Sequence, residues 1–201
     1  MLFRSDPSFW PLVGFAVAMA ITPGPNNAMV AASASRHGIM DTVPHMAGIA
    51  VGFAIMVAIA AAGLGGVLIA WPALHLVLQW VFAAWLLLLA WKIATAPPVD
   101  IAGVLPPMGF LGAVLFQWVN PKAWAIALSA AGEYMLPGRP LIDEVARLSA
   151  IFAVVIVPCT FSWAVLGSGA ARILDVPGRL RLFNVAMAAL LVASVVAMLL
   201  E

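Results

Sequence analysis

Thr22-Pro23-Gly24-Pro25-Asn26-Asn27 lies inside an apolar stretch that otherwise runs unbroken from Phe9 to about Ser35. An interior proline removes a backbone donor and costs roughly 3 kcal/mol against alanine in a helix. Two prolines flanking a glycine therefore predict an unwound segment whose carbonyls lack helical partners. Asn120-Pro121-Lys122 interrupts a second apolar stretch in the same way. At membrane depth, non-helical backbone survives only where protein buries it or water lines it. Two broken helices in corresponding halves of a membrane chain point to a solute-binding site.

The composition fixes lipid as the solvent. Of 201 residues, 65% are hydrophobic and 8% are charged, and the mean hydropathy is +1.13. A soluble domain carries about a quarter charged residues, so a water-facing surface could not be covered here. Six helices of about 20 residues use roughly 120 residues, which leaves short loops and no separate soluble domain. A net charge of +1 from scattered basic residues gives no nucleic-acid surface. Cys159 is the only cysteine, so an internal disulfide and a cysteine metal cluster are both excluded. A membrane thiol–disulfide carrier, which needs a pair, is excluded with them. Arg4, the run Phe9 to Met19 and Ala18-Met19-Ala20 imitate a secretory signal. With membrane-spanning sequence throughout the rest, an uncleaved first helix is the expectation.

Working outward, span one covers about Phe9 to Ser35 and turns at Arg36-His37-Gly38. Span two covers about Thr42 to Ile69, and Trp71-Pro72 makes the next turn. Span three covers about Ala73 to Ala94, with Trp80, Trp85 and Trp91 read as interfacial anchors. Half one is thus about residues 1–95, a proline-rich linker follows over about 96–107, and half two is about 108–201. Span four begins near Met108, breaks at Pro121 and ends near Glu133, and Pro137-Gly138-Arg139-Pro140 is a loop. Span five runs from about Ile142 to Ala170 with a kink expected at Pro158. Arg172 to Arg181 is a basic connector into span six. Loops one, three and five hold Arg36, Lys92, Arg172, Arg179 and Arg181, against Arg4, Arg139 and Arg147 on the other side. The positive-inside rule then puts both termini outside, on the periplasmic side. Three spans per half make the halves antiparallel, and Gly14-Phe15 and Gly109-Phe110 precede the two breaks at similar offsets.

The chemistry-bearing residues cluster at the breaks. Pro23, Gly24 and Pro25 predict a half-helix whose free N–H groups suit a carboxylate, with Asn26 and Asn27 capping it or binding solute. A plain structural kink is the alternative. Lys122 costs about 2.5–3.5 kcal/mol at the bilayer centre on insertion scales. It is expected to face a solute carboxylate or carbonyls freed by Pro121, unless it snorkels to the interface. Asn120 reads equally as a ligand or as interhelical glue, the role expected of Gln117, Thr160, Ser162 and Asn184. Candidates for carrying a proton are Asp41, His45 and Glu133, each with a hydrogen-bonded structural role as the alternative. Gly48 and Gly52 have the small-xxx-small spacing of close helix packing. No H-E-x-x-H, G-x-S-x-G or phosphate-cradling loop is present, so no catalytic residue, metal, cofactor or ATP use is expected.

Pro23-Gly24-Pro25-Asn26-Asn27, Arg36-x-Gly38 and Pro44-His45-x-x-Gly48-Ile49-x-x-Gly52-Phe53 resemble the opening of the LysE/RhtB amino-acid exporters. Phe110-x-Gly112 followed by Asn120-Pro121-Lys122-Ala123-Trp124 is similar to that family's second half. The resemblance implies a bacterial inner-membrane protein that exports amino acids or close derivatives by proton exchange. Asp41 stands where the family would have a small or basic residue, and span three lacks an expected glycine and tyrosine; both departures bear on substrate and coupling.

The expected fold is an all-α integral membrane protein, six transmembrane helices in two inverted three-helix repeats, with helices 1 and 4 interrupted by proline. The expected function is secondary export by alternating access, with an amino acid and the lipid bilayer as partners and no nucleic acid. A homodimer is left open. The rival readings are a carrier of a metal ion or another metabolite, and an intramembrane enzyme. A Ser129–Lys122 catalytic pair would be separated by some 10 Å along one helix, too far for contact.

Overall fold

The computed structural model describes residues 8–64, 72–95, 107–173 and 177–200. Every regular element among them is a helix, as the composition requires. These are α1 (Phe9–Ile21), α2 (Pro25–Ile59) continued by a π turn over Ala60–Leu64, α3 (Pro72–Ala94), α4 (Phe110–Val119), α5 (Pro121–Tyr134), α6 (Leu141–Ile173) and α7 (Pro177–Leu200). Most of the linker expected over 96–107, the end of span two and the turn at Trp71 lie outside the described residues.

Both interruptions fall at the prolines. α1 stops at Ile21 and α2 starts at Pro25; α4 stops at Val119 and α5 starts at Pro121. α1 has 13 residues and rises about 20 Å, too short to cross lipid unaided. α2 is broken again at Gly38, whose φ of 82° is the left-handed conformation that glycine adopts freely. Residues 25–37 and 39–59 are therefore separate helical segments, with the turn at the expected Arg36-His37-Gly38.

Contacts along α6 fix the direction of the first segments. Arg147 bonds Ser8, Trp163 bonds Ile21, and the Gly167 backbone lies against Ala31. α1 and residues 25–37 thus run parallel to α6, one after the other. The second segment of α2 lies against α4, with Gly48 facing Phe110 and Ala113, and Gly52 facing Val114 and Gln117. α2 packs most extensively on α6 and α4, and α3 packs on α7. The main core gathers Leu12, Val30, Ile49, Phe53, Met56, Ala127, Phe152 and Ile156 around α2. Outward faces carry Trp80, Val81, Leu88, Trp91, Leu115, Val154 and Leu182, all exposed; such an apolar coat suits lipid. Pro25–Gly63 and Leu141–Ala170 are each long and apolar enough to cross a membrane, with mean hydropathy 2.2.

Two expectations need correction. The basic connector is short: α6 contains Arg172 and α7 begins at Pro177, so Arg179 and Arg181 belong to a helix. Arg147 is not a loop charge either, but is buried in the second turn of α6 against Glu144. Pro158 lies inside α6, which is helical over Leu141–Ile173.

Candidate functional site: two helix breaks that meet

The first break is built by proline chemistry. Thr22, preceding Pro23, is pushed to φ −59°, ψ 137°, the extended region a following proline imposes. Gly24 is fully extended, and Pro25 occupies the first turn of α2, where its missing N–H is no loss. The carbonyls released at the end of α1 are then claimed by side chains. Asn27 Nδ2 donates to Ala20 O at 2.8 Å and Thr22 O at 2.9 Å, while Ala18 O keeps its backbone bond from Thr22 N and also accepts from Thr22 Oγ1 at 2.5 Å. Trp163 Nε1 on α6 donates to Ile21 O at 3.0 Å. Asn27, expected to cap α2 or to bind solute, uses its Nδ2 donor on carbonyls at the end of α1, where the prolines at 23 and 25 have removed backbone donors.

The second break reaches across to the first. Asn120 is extended (φ −94°, ψ 105°) before Pro121, and Lys122 is in the first turn of α5. Lys122 Nζ donates to Thr22 O at 2.8 Å and Pro23 O at 3.1 Å. Its carbonyl partners therefore come from the first break rather than from its own. The lysine stem folds over Gly24, where an added Cβ would lie 2.9 Å from Lys122 Cδ. Asn26 and Gln117 exchange amide hydrogen bonds at 2.8 and 3.2 Å, and Gln117 Nε2 also donates to Ala113 O at 2.9 Å. Asn120 is buried, and its Oδ1 has no hydrogen-bond partner.

Lys122 lines two cavities, as do Met19, Pro25 and Ile126. The tighter one, lined by Gly24, Asn26, Asn120, Ile49, Phe152 and Thr160 among others, leaves about 40 Å³ for water centres, room for a few waters. The wider one leaves about 460 Å³ and is lined by Thr22, Pro23, Pro121, Lys122, Ser129 and Ser194 together with apolar side chains. Its size is in the range of small-molecule sites.

A family model described as LysE type translocator matches residues 17–201. The chain belongs to the LysE type translocator family. A cysteine/O-acetylserine efflux protein of Escherichia coli strain K12 is 30% identical over 185 residues, 92% of each chain. Another of the same name, from Salmonella typhimurium strain LT2, is 31% identical over 160 residues, 80% of each chain. No solved structure matches the chain.

The remaining candidates of this translocator are scattered. Asp41 and Glu133 are exposed and away from both cavities. His45 is 1% exposed, and neither ring nitrogen has a hydrogen-bond partner; it lies one helical turn before Ile49, which lines the tighter cavity. Gly48 and Gly52 face α4, where a Cβ on Gly52 would come within 2.8 Å of Val114 Cα. Three features escaped the sequence reading. Trp163 was not singled out, yet it holds Ile21. Gly167 brings the α6 backbone against Ala31. Glu144 and Arg147 form a buried pair, Nη2 to Oε2 2.7 Å, with Arg139 Nη1 3.5 Å from Glu144 Oε1. Leu136 N donates to Glu144 at 2.9 Å, and Arg147 also donates to Tyr134 O. The i, i+3 spacing of Glu144 and Arg147 was the available signal.

Proposed function

We propose that this translocator exports a small amino acid or amino-acid derivative across the bacterial inner membrane, as a proton-coupled secondary transporter. Its six spans form two inverted halves that give alternating access to a chamber at the paired breaks, with both termini outside. The observation that carries this reading is Lys122, which hydrogen-bonds the unwound end of α1 from across the chain while lining both cavities. Pro23, Gly24, Pro25, Asn26, Asn27, Asn120, Pro121 and Lys122 then form the solute-contacting set. The named relatives make cysteine and O-acetylserine the first solutes to test, and a cavity with Thr22, Ser129 and Ser194 in its lining suits a small polar amino acid. Among the proton-carrying candidates we favour His45, since it alone is buried with both ring nitrogens unpartnered and next to the cavity.

The test is efflux of each solute from loaded cells expressing the wild type, Lys122→Ala or Pro25→Ala at matched membrane levels. Net export by the wild type and its loss in both variants is the expected result. Unchanged export in either variant rules out the site. For coupling, His45→Gln is expected to abolish the dependence of export on an imposed pH gradient, and retained dependence removes His45 from the mechanism.

A further inference from the structure

The end of α1 presents two kinds of carbonyl. Ala18 O, Ala20 O and Ile21 O are bonded by Thr22, Asn27 and Trp163 and take nothing from Lys122. Thr22 O and Pro23 O belong to residues lining the wider cavity, and both accept from Lys122, with Asn27 Nδ2 a second donor to Thr22 O. Unpaired carbonyls at a helix C-terminus carry its partial negative charge and suit a cation. Their present occupant is a primary ammonium with three donors, the same group that α-amino acids other than proline carry.

We propose that the Thr22–Pro23 carbonyl pair is the ammonium site of the exported amino acid, and that Lys122 fills it between transport cycles. Cargo inserts between them: its ammonium takes the two carbonyls, and the displaced Lys122 ammonium pairs with its carboxylate. No charge is created or lost in the exchange, because a zwitterion enters an existing cation–dipole contact. The wider cavity, which Lys122 already lines beside Ser129 and Ser194, gives the lysine a place to move. Once cargo leaves, Lys122 returns to the carbonyls and keeps Pro23 O from being left bare. This inference rests on reading the chamber as the export path, and it adds a rule for cargo. Both charged ends are needed: a decarboxylated amine leaves Lys122 unpaired, and a deaminated acid leaves Pro23 O bare and Thr22 O with Asn27 alone.

The first experiment is independent of transport. Purified full-length wild type and Lys122→Ala are melted with ethylammonium, which matches the missing Cδ–Cε–Nζ, or with tetraethylammonium, which has no N–H donor. A saturable rise of a few degrees in Tm, in the variant only and with ethylammonium only, is expected. No variant-specific rise overturns the proposal. Should Lys122→Ala fail to fold, Lys122→Met keeps the apolar stem over Gly24 and ends one atom short of Nζ; ammonium ion is then the probe, with the same two outcomes. The second experiment follows radiolabelled cysteine in proteoliposomes under reducing conditions. Lys122→Ala is expected to weaken cysteine-for-cysteine exchange, since the cargo carboxylate loses its partner, but to lower net efflux further, by about tenfold or more, because no lysine refills the emptied carbonyls, and ethylammonium restores part of the net efflux. Equal loss of exchange and net efflux without restoration overturns the proposal. A wild type that moves no cysteine, beside a variant that still responds to ethylammonium, counts against cysteine export and supports the ammonium site.

Discussion

Lys122 takes its hydrogen-bond partners from the first helix break. A lysine at bilayer depth is tolerated only with acceptors in reach, and a proline break supplies acceptors where a continuous helix would not. Gly24 is part of the same arrangement, not for its backbone, which is extended and open to any residue, but for its missing Cβ. Gly24→Ala would place a methyl 2.9 Å from Lys122 Cδ and 3.1 Å from Nζ. It is expected to displace the ammonium from Thr22 and Pro23, lowering net export several-fold at an unchanged level of membrane protein; unaltered efflux would contradict the close contact. Asn26 and Gln117 are expected to behave as one unit. In a double-mutant cycle of Asn26→Ala and Gln117→Ala, thermal unfolding in detergent should show a coupling of about 1 kcal/mol, the scale of interhelical hydrogen bonds in membranes. Strict additivity would mean the pair is not made. The breaks themselves were legible in the sequence, because what proline does to a helix is local. Their partners were not: Gln117 is 91 residues from Asn26 and Trp163 is 142 from Ile21, and no local propensity encodes such pairings.

Among the helices, close approach depends on glycine and on one buried ion pair. Gly48 and Gly52 admit α4 to α2, and Gly167 admits α2 to α6, where any side chain would collide with backbone. Gly52→Val is therefore expected to destabilise the protein by about 1–3 kcal/mol, the usual penalty of overpacking. Gly14→Ala, with open space around it, should stay near the wild type, and equal effects of the two would refute the packing. The small-xxx-small spacing made Gly48 and Gly52 readable in advance. Gly167 has a glycine two residues on rather than four, so the same rule passed over it. At the start of α6, Arg147 and Glu144 tie the end of α5 to Ser8 at the start of α1. Removing the arginine leaves a carboxylate 1% exposed without its main partner. Breaking a buried pair from one side costs about 3–5 kcal/mol, so Arg147→Ala should unfold far more readily than Arg139→Ala, whose guanidinium sits further from the carboxylate and is one-third exposed. Similar melting of the two variants would show that Arg147 is not the principal partner.

For the whole molecule, the all-helical class, the two proline breaks and the turn at Gly38 are legible in composition and punctuation alone, while the way the elements nest is not. The strongest contact joins α2 to α6 across the linker, and hydrophobic patterning cannot choose among helices that are apolar on every side. That nesting does give the orientation expected from basic residues a geometric form. Ser8 and Tyr134 meet at Arg147, so the start of α1 and the loop at Pro137 lie at one end of the bundle. From there α1 and residues 25–37 run parallel to α6 and reach the turn at Gly38, which puts Arg36 and His37 at the other end. Cys159 is 5% exposed within α6, so Cys159→Ala should give a folded background without cysteine. On that background, Pro137→Cys is expected to react with a membrane-impermeant maleimide in intact cells, and His37→Cys only after the cells are opened. The reverse result would invert the protein and turn the positive-inside reading over with it. Labelling of both from outside would place the two ends on the same face of the membrane, and a chamber held between opposite ends of the bundle could then carry nothing across.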